Sequence, residues 1–434
     1  MSADVFVLTQ GNGALFPPSV QATVLAKYSR SPLSARELVS SLTADEAEKF
    51  HDKYTISYGH SSVAELAVIP LCFENVSMVA SKFIEQFQRP GYSEKSTRYQ
   101  KFSAANCVDP TGGKFLPHYE LAFRAYEKCH QPLLIIAAME FGLDASNPET
   151  LKLPKVKARA FDALRYLLPA GCATSLGAVM NMRDVRYLVQ AARGSDNPEI
   201  REIGEATFLA ASSICPALIQ RADPDDFEPK INQLHDDPTY DGPVNIVSHT
   251  LPVDQEFNID VRQMYGMNEQ QFDEHMAKRG ARQVPTIFKR WHVEMDITMD
   301  WGAYRDLQRH RRCEQWAEPL STNHGYELPH DVVDTELEPV FEQVFQAYEE
   351  KYEQLFDKHG HLAQYVVPMG FKHKSRFNMD LRELYYMVEL RTKPQGHISY
   401  RKVAWEMFQA AKMRAPRAMK WCDAINPSSI GEHL

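Results

Sequence analysis

The sequence has little of what marks a secreted, membrane-spanning or metal-stapled chain. Its seven cysteines, Cys72, Cys107, Cys129, Cys172, Cys215, Cys313 and Cys422, are scattered, odd in number and form no C-x-x-C pair. That argues against a zinc ribbon or a disulfide scaffold and fits a reducing compartment, so no metal site is expected. No uninterrupted apolar run reaches the ~18–20 residues that a membrane span needs. The stretch from Met1 to Gly13 lacks a basic segment followed by an apolar one, the mark of a secretion signal. The expectation is a cytoplasmic protein with no membrane partner. An excess of positive charge is also lacking: the formal net charge is −9 at pH 7. A protein that wraps a nucleic-acid polymer usually needs a basic face, so no such partner is expected. A small phosphorylated ligand needs only a few local arginines, and the charge balance leaves that open.

What is present is enough apolar sequence for more than one core. The chain has 434 residues, 44% hydrophobic and 24% charged, which suits about two domains of ~150–200 residues. A repeat supports that division. Ala125-Tyr126-Glu127-Lys128 returns as Ala347-Tyr348-Glu349-Glu350, in segments that read as helical. Leu167-Leu168-Pro169 returns as Val366-Val367-Pro368. Asn181-Met182-Arg183 and Asp380-Leu381-Arg382 each open an amphipathic segment. In the first, Met182, Val185, Leu188 and Val189 recur at helical spacing and Arg193 closes it; in the second, Leu381, Leu384, Tyr385 and Val388 recur and Arg391 closes it. Apolar residues at i, i+3, i+4 and i+7 mark one buried helix face. Each segment is followed by a proline and then an arginine on a new helix: Pro198 and Arg201, Pro394 and Arg401.

Between the repeats, Ala222 to Gly242 carries Asp223-Pro224-Asp225-Asp226 and Asp236-Asp237-Pro238, clusters that favour turns. The reading is therefore a first copy over 1–221, a linker over 222–242 and a second copy over 243–434. Strands are expected near Val5–Leu8 and Val244–Val247.

Two clusters could carry chemistry. In the first copy, His60-Ser61-Ser62-Val63-Ala64-Glu65 precedes a helical stretch from about Val76 to Phe87, and Tyr92-Ser93-Glu94-Lys95-Ser96-Thr97-Arg98-Tyr99 follows the turn signal Pro90-Gly91. In an extended segment Glu94, Ser96 and Arg98 share a face. A hydroxyl and a guanidinium there suit phosphate; a solvated edge strand is the plainer alternative. In the second copy, alternation from Val293 to Trp301 predicts a half-buried strand, and Tyr304 to Gln308 a short helix before Arg309-His310-Arg311-Arg312. On an ideal helix Arg309 and Arg311 diverge, so the helix must end there for both to meet one ligand. A solvated basic face is the other reading of that run.

Together these segments resemble the flavin-dependent thymidylate synthases, whose signature is Arg-His-Arg, seven residues, then Ser. The second copy holds Arg309-His310-Arg311, and the first holds Glu94-x-Ser96-x-Arg98. His60, Ser62 and Glu65 resemble the segment before the signature. Arg165-Tyr166-Leu167-Leu168-Pro169 is similar to the family's Arg-x-x-Leu-Pro. Asn181-Met182-Arg183 and Asp380-Leu381-Arg382 are similar to its Asn-x-Arg helix start, and Arg193 and Arg391 to the arginine that closes that helix. The signature is divided: the first copy reads Gln86-Phe87-Gln88 where the second keeps Arg-His-Arg, and the second reads Pro319 and Ser321 where the first keeps Ser96 and Arg98. Arg165 is matched by Gln364.

The resemblance implies an α+β fold, two tandem copies of a mixed sheet packed with helices. It implies an enzyme that transfers a methylene from methylenetetrahydrofolate to dUMP, with FAD carrying the hydride and a reduced nicotinamide nucleotide as reductant. It places Arg309, His310, Arg311, Ser62, Glu65, Asn181 and Arg183 at FAD. Glu94, Ser96, Arg98, Arg165, Arg193 and Arg391 go to the nucleotide, with Arg193 and Arg391 also catalytic. His60 and His397 are candidate acid–base or cofactor contacts. A homodimer would form a pseudo-tetramer with composite sites. Two alternatives stay open: a flavin enzyme with a changed acceptor, and a nucleotide-binding or scaffolding relative without catalysis.

Overall fold

The computed structural model describes residues 15–29, 31–40, 42–51, 61–97, 101–220, 222–225, 234, 242–280 and 283–429. The expected strand at Val5–Leu8 lies outside them, as do His60, Arg98 and most of the 222–242 stretch. The chain forms an α+β protein in two compact units, and no helix among the described residues is long and apolar enough to cross a membrane.

The first unit is Met1–Val76, Ala80–Lys95 and Thr174–Pro229. Among the described residues its sheet has three strands, β1 (Val68–Ser77), β2 (Gly91–Glu94) and β3 (Ala173–Asn181), in the order β1-β3-β2. Thr174, Leu176, Ala178 and Met180 of β3 are buried in strict alternation, the period of two that one covered face imposes. β2 pairs antiparallel to β3, from Gly91 opposite Val179 to Glu94 opposite Leu176. Asn181 then accepts a hydrogen bond from the Asp184 N–H and caps the Met182–Arg193 helix. Met182, Val185, Leu188 and Val189 form the buried stripe that the spacing predicts. Each such side chain contributes about 1.5–3 kcal/mol when fully buried.

The expected helix from Val76 to Phe87 is shorter, Met78–Glu85, and is preceded by β1. Pro70 hid that strand: proline cannot donate to a ladder and sits on edge strands, and β1 is at the edge of this sheet.

The second unit is Ser77–Val79, Ser96–Ala173 and Lys230–Leu434. Its sheet, β4 (Val244–His249), β5 (His292–Asp300), β6 (Glu314–Ala317) and β7 (Lys372–Asp380), has the order β4-β5-β7-β6. The β5-β7-β6 part repeats the β1-β3-β2 order. Val293, Met295, Ile297 and Met299 are buried along β5, as their alternation predicts. Asp380 caps the Leu381–Arg391 helix by accepting from the Glu383 N–H, the counterpart of Asn181.

Segments of both halves meet within this unit. Ala170 N–H donates to Val367 O at 2.9 Å, and Met369 N–H to Leu168 O at 2.9 Å; Gly171 donates to Tyr365 O at 2.7 Å, and Gly370 to Tyr166 O at 2.9 Å. Exchanging the two segments turns each bond into its mate, with Pro169 opposite Pro368. The Leu-Leu-Pro and Val-Val-Pro repeats therefore pair with one another about a local two-fold axis. The Leu116–Glu140 and Glu338–His359 helices carry the Ala-Tyr repeats, with Tyr126 and Tyr348 both buried; the Tyr348 hydroxyl donates to His118 O at 2.5 Å.

Candidate active site

The Arg-His-Arg run follows β5 through a short helix. Asp300 ends β5 and caps Trp301–Leu307, accepting from the Ala303 N–H at 2.9 Å. The helix stops at Leu307, so Arg309, His310 and Arg311 lie past it. The unwinding that a shared ligand requires is present. Arg309 and Arg311 are exposed, whereas the His310 ring is buried between them. Its Nδ1 lies 3.1 Å from Glu383 Oε1, and its Nε2 accepts the Arg391 Nε–H at 2.9 Å. The Arg391 guanidinium also lies over the Tyr400 ring, 5.4 Å from its centroid.

One carboxylate, Asp306, sits at the centre of the positive charge. Arg165 follows the Pro154–Leu164 helix and is buried; its Nη1 donates to Asp306 Oδ2 at 3.3 Å. Burial pushes the Asp306 carboxyl up, but the Arg165, Arg309, Arg391 and Arg305 guanidinium groups outweigh it and hold the carboxyl below the ordinary range. Asp306 is thus an anion shared by four cations, and the one hydrogen-bonded to it, Arg165, comes from the other half of the chain. The Nε and Nη2 of Arg165 are buried without a hydrogen-bond partner among the described residues. Buried donors are usually satisfied, so this fork has capacity for an anionic ligand.

Behind Arg165 lies Asp300, which also accepts from the Ser399 hydroxyl. Burial raises the Asp300 carboxyl to about 6 against the pull of Arg165. Gly302 separates the two charges: a Cβ there would stand 3.0 Å from Asp300 Oδ1 and 3.2 Å from Arg165 Nε. Gly302→Ala is accordingly expected to destabilise the second unit by about 1–3 kcal/mol, read from urea unfolding; a change near zero would show that the Arg165 fork shifts freely.

In the first unit the family-like residues form their own network. Glu65 accepts from Arg183 Nη1 at 2.7 Å and from Arg89 Nη1 at 2.9 Å, and Arg183 Nε donates to Tyr187 Oη at 2.9 Å. Asn181 donates to Asp184, which also pairs with Arg89 at 3.3 Å. Ser62 is exposed beside Glu65. The Glu94 carboxylate is buried against Ser81 Oγ at 3.1 Å and Lys82 Nζ at 3.3 Å. β2 ends at Glu94, the Lys95 N–H still donates to Ser175 O of β3 at 2.9 Å, and Ser96 follows it.

The two helix-closing arginines differ. Arg193 is clamped by Glu205, with Nε–Oε1 at 2.7 Å and Nη2–Oε2 at 3.0 Å, and donates through Nη1 to Ala222 O. Arg391 spends Nε on His310, and among the described residues its Nη groups have no hydrogen bond. His397 caps the Ile398–Arg414 helix, accepting from the Ser399 N–H at Nδ1, so its Nε2–H donates to Asp162 O at 3.3 Å. That use of both nitrogens is architectural.

Sequence reasoning missed Asp306, Asp300 and Glu383. Glu383 and Asp184 stand three residues into their helices after Asp380 and Asn181, a capping spacing that pointed to both. Asp306, one helical turn before Arg309, carries no comparable signal.

The chain matches the family described as thymidylate synthase complementing protein twice, over residues 18–217 and 241–417. It belongs to that family, and carries the family's domain in two copies. A UPF0159 protein of Chlamydia pneumoniae is 26% identical, over 93% of this chain and 88% of its own length. A UPF0159 protein of Thermoplasma acidophilum is 24% identical over 85% of this chain and 87% of its own. A flavin-dependent thymidylate synthase of Clostridium tetani is 24% identical, over 48% of this chain and 83% of its own length, the ratio expected of one copy against two.

Proposed function

We propose that this protein is an FAD-dependent enzyme that transfers a methylene from methylenetetrahydrofolate to dUMP or a related pyrimidine nucleotide. The observation that carries the reading is the arginine cluster around Asp306, assembled from both halves of the chain. The exposed Arg309 and Arg311, on either side of His310, suit the diphosphate of FAD; Ser62, Glu65, Asn181 and Arg183 are cofactor candidates in their own right. The open forks of Arg165 and Arg391 suit the nucleotide, as do Glu94, Ser96 and Arg98. Bound flavin would supply the hydride that reduces the transferred carbon to a methyl group, and a reduced nicotinamide nucleotide would restore it. The protein's own contribution is to bind, orient and stabilise negative charge developing on the uracil ring, the task of arginines held in a partly buried site. The copies run over 1–221 and 243–434, joined by 222–242, and two chains assemble as a pseudo-tetramer.

A specific contrast favours unequal copies. Arg193 is neutralised by Glu205 while Arg391 is open, so the site built on Arg391 is the working one and Arg193 has a lesser catalytic part. The test is the purified chain incubated with FAD, dUMP, methylenetetrahydrofolate and reduced nicotinamide nucleotide. A flavin absorption band and dTMP are expected. Flavin without dTMP points to another acceptor, and protein that stays colourless points to a relative that has lost catalysis.

A further inference from the structure

The histidine of the Arg-His-Arg run is turned away from the surface on which its two neighbours lie. It touches Glu383 and Arg391, and its carbonyl accepts from Gln315 Nε2 at 2.6 Å and from the Cys313 thiol at 3.0 Å. The backbone on which the ring stands is thereby fixed. Arginine only donates, so Nε2, which faces Arg391 Nε–H at 2.9 Å, must carry the lone pair. Nδ1 then carries the hydrogen, and a carboxylate oxygen lies 3.1 Å from it. The contacts thus fix one tautomer, in the neutral ring.

We propose that His310 is a positioning residue, which in its Nδ1–H form fixes the Arg391 fork for an anionic nucleotide and is itself held by Glu383. The inference rests on the nucleotide reading above. Without this acceptor, the Arg391 side chain keeps, among the described residues, the Tyr400 ring face and the charge of Asp306. Protonating Nε2 would replace the acceptor with a donor and set an imidazolium against a guanidinium. Burial and the nearby Arg391 charge oppose that protonation, while Glu383 favours it; burial prevails and holds the ring below its ordinary value. Among the described residues, Glu383, Tyr386 and Arg391 on the Leu381–Arg391 helix face the ring, Cys313 and Gln315 contact the His310 carbonyl, and Asp306 is within electrostatic reach of Arg391.

The experiment is dUMP titration of the full chain by calorimetry across about pH 5 to 8, for wild type, His310→Phe, His310→Gln, Arg391→Ala and the double variant His310→Phe/Arg391→Ala. His310→Phe is expected to weaken dUMP about tenfold or more, the scale of one charge-assisted hydrogen bond. Glutamine, which offers an acceptor oxygen, recovers part of it. The double variant is no weaker than Arg391→Ala. Wild-type affinity falls toward acid pH more steeply than that of His310→Phe, whose remaining fall is that of the dUMP phosphate, with its second pKa of about 6. Additive losses, or an equal pH profile in His310→Phe, overturn the proposal.

If wild type binds no dUMP, the nucleotide reading fails, and the positioning claim is decided by 15N spectra of histidine-labelled protein. A protonated Nδ1 and a bare Nε2 for His310 at neutral pH support it. A protonated Nε2 overturns it.

Discussion

Asp306→Asn is expected to destabilise the second unit by about 2–3 kcal/mol, and inorganic phosphate to restore part of that loss. The reason is the imbalance of charge. Asp306 is the one carboxylate held low by Arg165, Arg309, Arg391 and Arg305 together. Its amide replacement removes the one negative charge that these four guanidinium groups share, and removing one partner of a partly buried ion pair costs a few kcal/mol. Arg165→Met should cost less, since three cations remain about the carboxylate. A ligand that binds only the folded state stabilises it by mass action, so an anion that replaces the lost charge should raise the variant's unfolding midpoint more than the wild type's. Urea unfolding with and without phosphate checks both parts. A variant within about 0.5 kcal/mol of wild type, or an equal phosphate effect on both proteins, would remove Asp306 from the centre of the cluster.

The second large effect concerns pH, and in the wild type it is hidden. His373 on β7 is fully buried against the Tyr304 ring, with centroids 4.5 Å apart. Burial pushes its ring down to about 3. The unfolded chain therefore takes up this proton first as pH falls below ~6.5, and stability is lost at about 1.4 kcal/mol per pH unit down to the folded value. Asp300 behaves in the opposite sense. Its folded value of about 6 lies above that of an ordinary aspartate, so its contribution is whole at low pH and is lost as pH rises through ~6. Between about pH 6 and pH 4 the two slopes oppose. His373→Phe should gain about 3 kcal/mol on wild type over that window, and Asp300→Asn, which keeps a capping side chain, should lose about as much. Unfolding free energies at several pH values decide it; parallel curves for all three proteins would mean that neither group titrates as its burial requires.

Much of this was legible beforehand, for a physical reason. The Met182–Arg193 and Leu381–Arg391 helices and β5 each bury one face, and one-sided burial writes its period into the sequence. A short helix before Arg309 is legible in the sequence, and its end at Leu307 meets the condition for two arginines at i and i+2 to share a ligand. β1 was hidden by Pro70, and the alternation of Glu94, Ser96 and Arg98 carries no mark of where β2 ends. The orientation of His310 was also out of reach. Its sequence neighbours are exposed arginines, and Glu383, Tyr386 and Arg391, more than 70 residues away in the chain, meet it on its inward side. The same holds for Arg165 and Asp306: their pairing depends on which segment of one half meets which helix of the other.

The reciprocal backbone bonds between 166–171 and 365–370 have a consequence for behaviour at low concentration. Separate polypeptides would hold such a two-fold contact only above their dissociation constant. In this chain both edges are covalently linked, so the contact forms at a fixed effective concentration. Dilution that separates one whole chain from another leaves this junction, and the meeting of Arg165 with Asp306 beside it, intact.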